Sequence, residues 1–172
     1  AGVGNAQAND VALSSIDGEK VFASAMIFNS QTTAYNLGTD NGSPDNQLFY
    51  DASVSDNALQ SASGNIGLNV AAGVGNAQTN ALAASVNSSG TIAKASADSE
   101  QTTFWNTLAA DCDLDNTALL SGNALSGAIG NIGVNVAAGV GNAQHNGLAI
   151  AVAACELCAP PPPDPCSGCG GD

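Results

Sequence analysis

The stretch NIGVNVAAGVGNAQHNGLAIAV, Asn131 to Val152, decides the fold. Ile132, Val134, Val136, Ala138, Val140, Asn142, Gln144, Asn146, Leu148, Ile150 and Val152 all stand on even positions. The odd positions hold Gly, Ala or Asn, with His145 as the exception. Alternation sustained this long is the period of a strand, because successive side chains leave opposite faces of a pleated backbone. The run is too long for one ordinary strand. Its Ala138-Gly139-Val140-Gly141 segment supplies the φ freedom for a corner, so the reading is strand, glycine corner, strand.

A second copy repeats the rule with Ile66, Leu68, Val70, Asn76, Gln78, Asn80, Leu82 and Val86 on one face, around the corner Ala72–Gly75. A first, partial copy follows it with Val3, Asn5, Gln7, Asn9, Val11 and Leu13, around Ala1–Gly4. The copies align Ala1, Ala72 and Ala138, at spacings of 71 and 66 residues. Further landmarks agree. Ser30–Thr33 matches Glu100–Thr103, Tyr35-Asn36 matches Trp105-Asn106, Asp45-Asn46 matches Asp115-Asn116, and Asn57–Leu59 matches Asn123–Leu125. On these landmarks most of the length difference falls between Asn46 and Asn57, which marks a loop there.

Repetition at a fixed period is the signature of a stack in which each repeat contacts its neighbours. The expected fold is all-β: a repeat-built β-solenoid of stacked cross-β layers that continues as a filament. A stacking core is expected at Ile66, Leu68, Val70, Asn76, Gln78, Asn80 and their equivalents Ile132, Val134, Val136, Asn142, Gln144, Asn146. The small-residue face lets another backbone approach closely, and the Asn and Gln rungs form amide ladders when equivalent positions stack about 4.8 Å apart. Val21–Phe28 and Thr91–Ser96 read as further strands, and Gly18, Asn41–Pro44 and Asn87–Gly90 as turns. The repeat region is placed at residues 1–154, with its partial copy at 1–13 and full copies at 64–86 and 130–152. Residues 155–172 form a Cys/Pro-rich tail with prolines at 160–163, an extended, semi-rigid spacer.

Composition excludes several classes of function. Two Lys and no Arg stand against 15 carboxylates, a formal charge of −13. Nucleic acid and anionic membrane surfaces are therefore excluded as partners, since both are bound through clustered cations. Such acidity keeps a chain soluble and leaves divalent cations as plausible counter-ions. Aromatic residues are 4% and the apolar fraction leans on Ala and Val, which build thin layers rather than a thick core. No apolar run is long enough to span a bilayer, and no signal peptide is present. Beginning in mid-motif at Ala1, the chain reads as a processed, secreted form.

Cys155, Cys158, Cys166 and Cys169 form two CxxC pairs, the number of thiolates a tetrahedral zinc takes. The loop between them is short and stiff with proline, which favours local disulfides in an oxidising compartment. Cys112 makes the count odd and is free or bonded within or between subunits. Asp111–Asn116 has the opening of a calcium loop but lacks its sixth-position Gly and its terminal Glu, so it reads as a solvated acidic loop. His145 replaces Thr79 and Ala8 of the other copies, which fits an exposed strand face. With one His and no nucleophile placed beside it, no catalytic triad can be drawn, and no cofactor site is indicated. Asn41–Ser43 and Asn87–Ser89 fit the N-glycosylation sequon. Phe22, Phe28, Tyr35, Phe49, Tyr50, Phe104 and Trp105 fall outside the core unit and are expected to pack turns or a subunit contact.

The copies GNIGLNVAAGVGNAQTNALAAS (64–85) and GNIGVNVAAGVGNAQHNGLAIA (130–151), followed by a CxxC, resemble the imperfect repeats of the Fap functional amyloid fibre subunits of Pseudomonas and related bacteria. The chain departs from that pattern in its second CxxC pair, in Cys112 and in a first copy without the GNIGxNVA arm. The resemblance implies a subunit secreted through an outer-membrane pore, whose Greek-key-like layers stack into cross-β fibres that stiffen biofilm. The expected function is thus a structural subunit of an extracellular filament, with its own copies as partners. The alternative is a monomeric calcium- or zinc-dependent surface adhesin or binding module.

Overall fold

The computed structural model describes residues 1–39, 48–110 and 114–154. Twelve strands are present among them: β1 Gly2–Val3, β2 Ala6–Ile16, β3 Ala23–Ala34, β4 Leu37–Thr39, β5 Leu48–Val54 and β6 Ser63–Val74, then β7 Ala77–Asn87, β8 Ala93–Phe104, β9 Thr107–Ala109, β10 Leu114–Leu120, β11 Ile129–Val140 and β12 Ala143–Ala153. The described residues contain no helix.

Every strand pairing is parallel and joins equivalent residues of successive repeats. The sheets run β1-β6-β11, β2-β7-β12, β3-β8, β4-β9 and β5-β10, so each repeat forms one layer and the layers stack along the hydrogen bonds. Within a layer the strands meet through side chains. β7 lies between β6 on one side and β3 and β8 on the other, while β5 and β10 return along the outside of β11. The chain therefore spirals in each layer and then climbs to the next.

The interior is thin, as the alanine-rich composition requires. Ala25, Ile27, Ala81 and Ala83 form its apolar centre, with Ala12, Ala95 and Ala97 against them. These are the small-face residues of β7 meeting the inward face of β3 and β8. The larger residues on the opposite face are far more open: Leu13 is 72% exposed and Val152 50%. Small side chains on the inward face let the two sheets come close, and that contact covers them.

Several sequence expectations need correction. The chain turns at Gly4-Asn5, Gly75-Asn76 and Gly141-Asn142, one step beyond the expected corner, because β6 and β11 run on to Val74 and Val140. β3 and β8 extend through Gln31–Ala34 and Gln101–Phe104, beyond the strands expected from apolar residues alone. Those polar ends are held by hydrogen bonds instead: Gln31 Nε2 donates to Gln78 O at 3.2 Å and Thr33 Oγ1 to Gly75 O at 2.6 Å. The repeat-length difference is also elsewhere. Leu37 pairs with Thr107 and Leu48 with Leu114, so four residues of it lie between Thr39 and Leu48, and Asp115 stands against Phe49 rather than Asp45. Finally, Asn87 is fully buried, with Nδ2 donating to Val21 O and Oδ1 accepting from Gly90 N, and is closed to glycosylation.

Candidate stacking interface

The residues expected to stack lie in consecutive register. Ile66, Leu68 and Val70 of β6 pair with Ile132, Val134 and Val136 of β11. Gln78 and Asn80 of β7 lie between Gln7 and Asn9 of β2 and Gln144 and Asn146 of β12. Asn76 and Asn142 occupy equivalent corners, where Asn142 Nδ2 donates to Asn76 Oδ1 at 2.9 Å.

The amide ladders have a direction. Gln7 Nε2 donates to Gln78 Oε1 and Gln78 Nε2 to Gln144 Oε1, both at 2.8 Å. Gln78 Nε2 donates in addition to Val70 O, whereas Gln144 Nε2 donates only to Val136 O. The Gln ladder thus ends at β12 with one N–H to give, and at β2 with the Gln7 oxygen open. The Asn ladder runs the other way: Asn146 Nδ2 donates to Asn80 Oδ1 at 3.0 Å and Asn80 Nδ2 to Asn9 Oδ1 at 2.9 Å. One end of the stack is therefore the chemical complement of the other. Buried amides are costly unless paired, so these ladders fix the register between layers.

Glycine sets how closely the layers meet. Gly2 and Gly73 both have φ near +117°, and a Cβ on either would lie 1.9 Å from the carbonyl oxygen of the next layer's glycine, Gly73 or Gly139. Gly139 has φ +106°, but a Cβ there would meet nothing nearer than Asn116 Nδ2 at 3.7 Å.

Exposure at one repeat position depends on the layer. Thr79 is fully buried, donating from Oγ1 to Gln31 Oε1 at 3.0 Å, whereas His145 on the last layer is exposed. The expectation of an exposed face at this position thus holds for His145 and fails for Thr79. Of the aromatics, Phe22, Phe28, Tyr35, Phe49, Phe104 and Trp105 are exposed. Tyr35 makes an edge contact with Phe104, with ring centroids 5.3 Å apart. Beyond Asn69 and Asn80 the two arms splay around an open groove of about 650 Å³ lined by Ile66, Leu82, Ile132 and Leu148. The alternation of the sequence does not reveal this groove, since it carries no information on where two facing strands part.

Cys112 and the tail cysteines Cys155, Cys158, Cys166 and Cys169 lie outside the described residues, as do the acidic residues 111–113 and the sequon at 41–43. Among the described residues no group of three or more His, Cys, Asp or Glu side chains is placed to hold a metal ion.

The sequence comparisons bear on these stacked, in-register repeats. The model of the functional amyloid protein FapB/FapC family matches residues 1–153. The chain belongs to the FapB/FapC functional amyloid family. It is 42% identical over 133 residues to functional amyloid subunit FapC of Pseudomonas aeruginosa PAO1. That match covers 76% of this chain and 37% of the relative, so the chain spans little more than a third of FapC. No solved structure matches. The FapB/FapC assignment accounts for the three imperfect copies, and the family is one of structural subunits rather than enzymes.

Proposed function

We propose that the chain is a structural subunit of an extracellular, functional-amyloid filament of the biofilm matrix, built by head-to-tail stacking of its own copies. The observation that carries this reading is the pair of complementary ends. Among the described residues β12, which largely repeats the sequence of β7, has no strand paired on its outer edge, and β2 presents the opposite edge that such a strand accepts. Unprotected parallel edges invite further strands, and a heterologous contact that does not close makes an open filament.

Electron microscopy with fibre diffraction on the concentrated protein tests it, the expected result being uniform filaments with a meridional spacing of about 4.8 Å. Dispersed single chains under all conditions would overturn it. A sharper test is Gly139→Ala. In the single chain its added methyl makes only ordinary van der Waals contact, with Asn116 Nδ2 at 3.7 Å, but in a filament it would meet Gly2 of the next copy as Gly73 now meets Gly139. The variant is expected to fold and yet elongate on the order of tenfold slower or less, the factor that about 1.4 kcal/mol carries. Added in small amounts to wild-type seeds, it should cap them. Undiminished growth would exclude this contact.

Charge sets the assembly conditions. Stacking repeats chains of formal charge −13, so acidification towards about pH 4, the carboxylate range, is expected to speed assembly. Turbidity that stays flat down to that range would refute it. Asp17 works in the other direction. Hydrogen bonds from Ser89 and Ser88 of the next layer hold its carboxyl below the usual range. That contribution is present above the unfolded carboxylate's pKa and is lost as the pH falls through the lowered folded value.

A further inference from the structure

We propose, resting on the head-to-tail reading above, that each joint between chains is closed by a charge pair, His145 of one copy with Asp10 of the next. Two observations place these groups together. First, the imidazole lies along β12 over Gly147, where a Cβ would meet its Nε2 at 2.6 Å. Second, the register of the stack puts Asp10 of β2, Ala81 of β7 and Gly147 of β12 in one column. Continued by one layer of about 4.8 Å, that column sets Asp10 of the next copy beneath Gly147 and within reach of the imidazole. Among the described residues Asp10 and His145 stand on opposite outer strands of their sheet, with β7 between them. Within these layers the two groups do not meet, and stacking of a second copy brings them together.

Among the described residues no other charge faces this point. β2, β7, β11 and β12 carry no titratable group within their strands besides Asp10 and His145, and β3 carries none. On β8, Lys94, Asp98 and Glu100 all stand on the exposed outer face, while Ala97, Ser99 and Gln101 point inward. Asp10 is half-buried and already accepts a hydrogen bond from Asn29 Nδ2 at 2.8 Å, which holds its carboxylate in place. An opposite charge on a partly desolvated carboxylate favours the protonated imidazole. The pair's contribution is present while the imidazole is protonated and is lost as the pH rises and the imidazole gives up its proton.

The chain's single histidine makes the pair directly testable on seeded filaments. The critical concentration is expected to fall about tenfold from pH 8 to pH 5.5, the factor that about 1.4 kcal/mol carries. That window lies above the carboxylate range, which separates the effect from general charge repulsion. Asp10→Asn keeps an acceptor for Asn29; it should still form filaments, but with a critical concentration that stays flat across the window. His145→Lys should elongate well and without pH dependence across the window. A wild-type critical concentration that stays flat, or an Asp10→Asn variant that keeps the full pH response, would overturn the pair. Failure of the wild type to form filaments at any pH would instead overturn the head-to-tail reading, and the pair with it.

Discussion

Gly73→Ala is expected to cost the folded chain about 4 kcal/mol or more, against about 1–3 kcal/mol for Gly64→Ala. Both glycines have φ near +116°, a backbone region that side chains rarely adopt, so the conformational strain is shared. The difference is what the new methyl meets. At Gly64 nothing lies within 4 Å, whereas at Gly73 the carbonyl oxygen of Gly139 would be 1.9 Å away. A backbone oxygen held in a ladder cannot move aside as a flexible side chain can, so β6 and β11 must separate at this rung. Because the Gly73 N–H also donates to Ala1 O, the disturbance spreads to the first layer. Urea unfolding followed by circular dichroism compares the two variants. Equal losses would mean that φ strain is the whole effect and that close approach of the layers contributes nothing.

The same glycines show what the sequence made legible. Copies in one parity with matching Asn and Gln led to stacked layers with equivalent rungs in contact; that the strands pair parallel is what the structure adds. The strand ends at Gln31–Ala34 and Gln101–Phe104 were not legible from apolar alternation, since hydrogen bonds to β7, to β12 and to the Gly75 and Gly141 corners hold them. The Asp45-Asn46 and Asp115-Asn116 match misplaced the length difference because a two-residue coincidence outweighed spacing. Nor could the contrast between Thr79 and His145 be read, since burial at a repeated position depends on whether a further layer lies above it. That quantity belongs to the stack and not to any one copy.

The two corner asparagines turn this last point into a measurement. Asn76 is fully buried. Its Nδ2 donates to Ala72 O at 3.1 Å and Gly139 O at 3.2 Å. Its Oδ1 accepts the backbone N–H of Asn142 at 3.0 Å and its Nδ2 at 2.9 Å. Asn76→Ala leaves these groups unpaired where water cannot replace them, and should cost the single chain about 3–5 kcal/mol. Asn142 makes the equivalent bond to Ala138 O at 3.1 Å, but it lies on the last described layer, half-buried, with no described residue stacked beyond it. Water can serve its neighbours there, so Asn142→Ala should cost the free chain about 1 kcal/mol. Once a following copy covers that layer, Asn142 acquires the surroundings that Asn76 has now, and Asn5 of the new copy turns its backbone N–H towards it. The loss at Asn142 should then approach that at Asn76, so the variant would unfold almost normally as a free chain yet raise the critical concentration for filaments by about a hundredfold, the factor that about 2.7 kcal/mol carries. Equal effects on the free chain and on the filament would mean that the last layer stays uncovered in the filament, and that chains join by some other face.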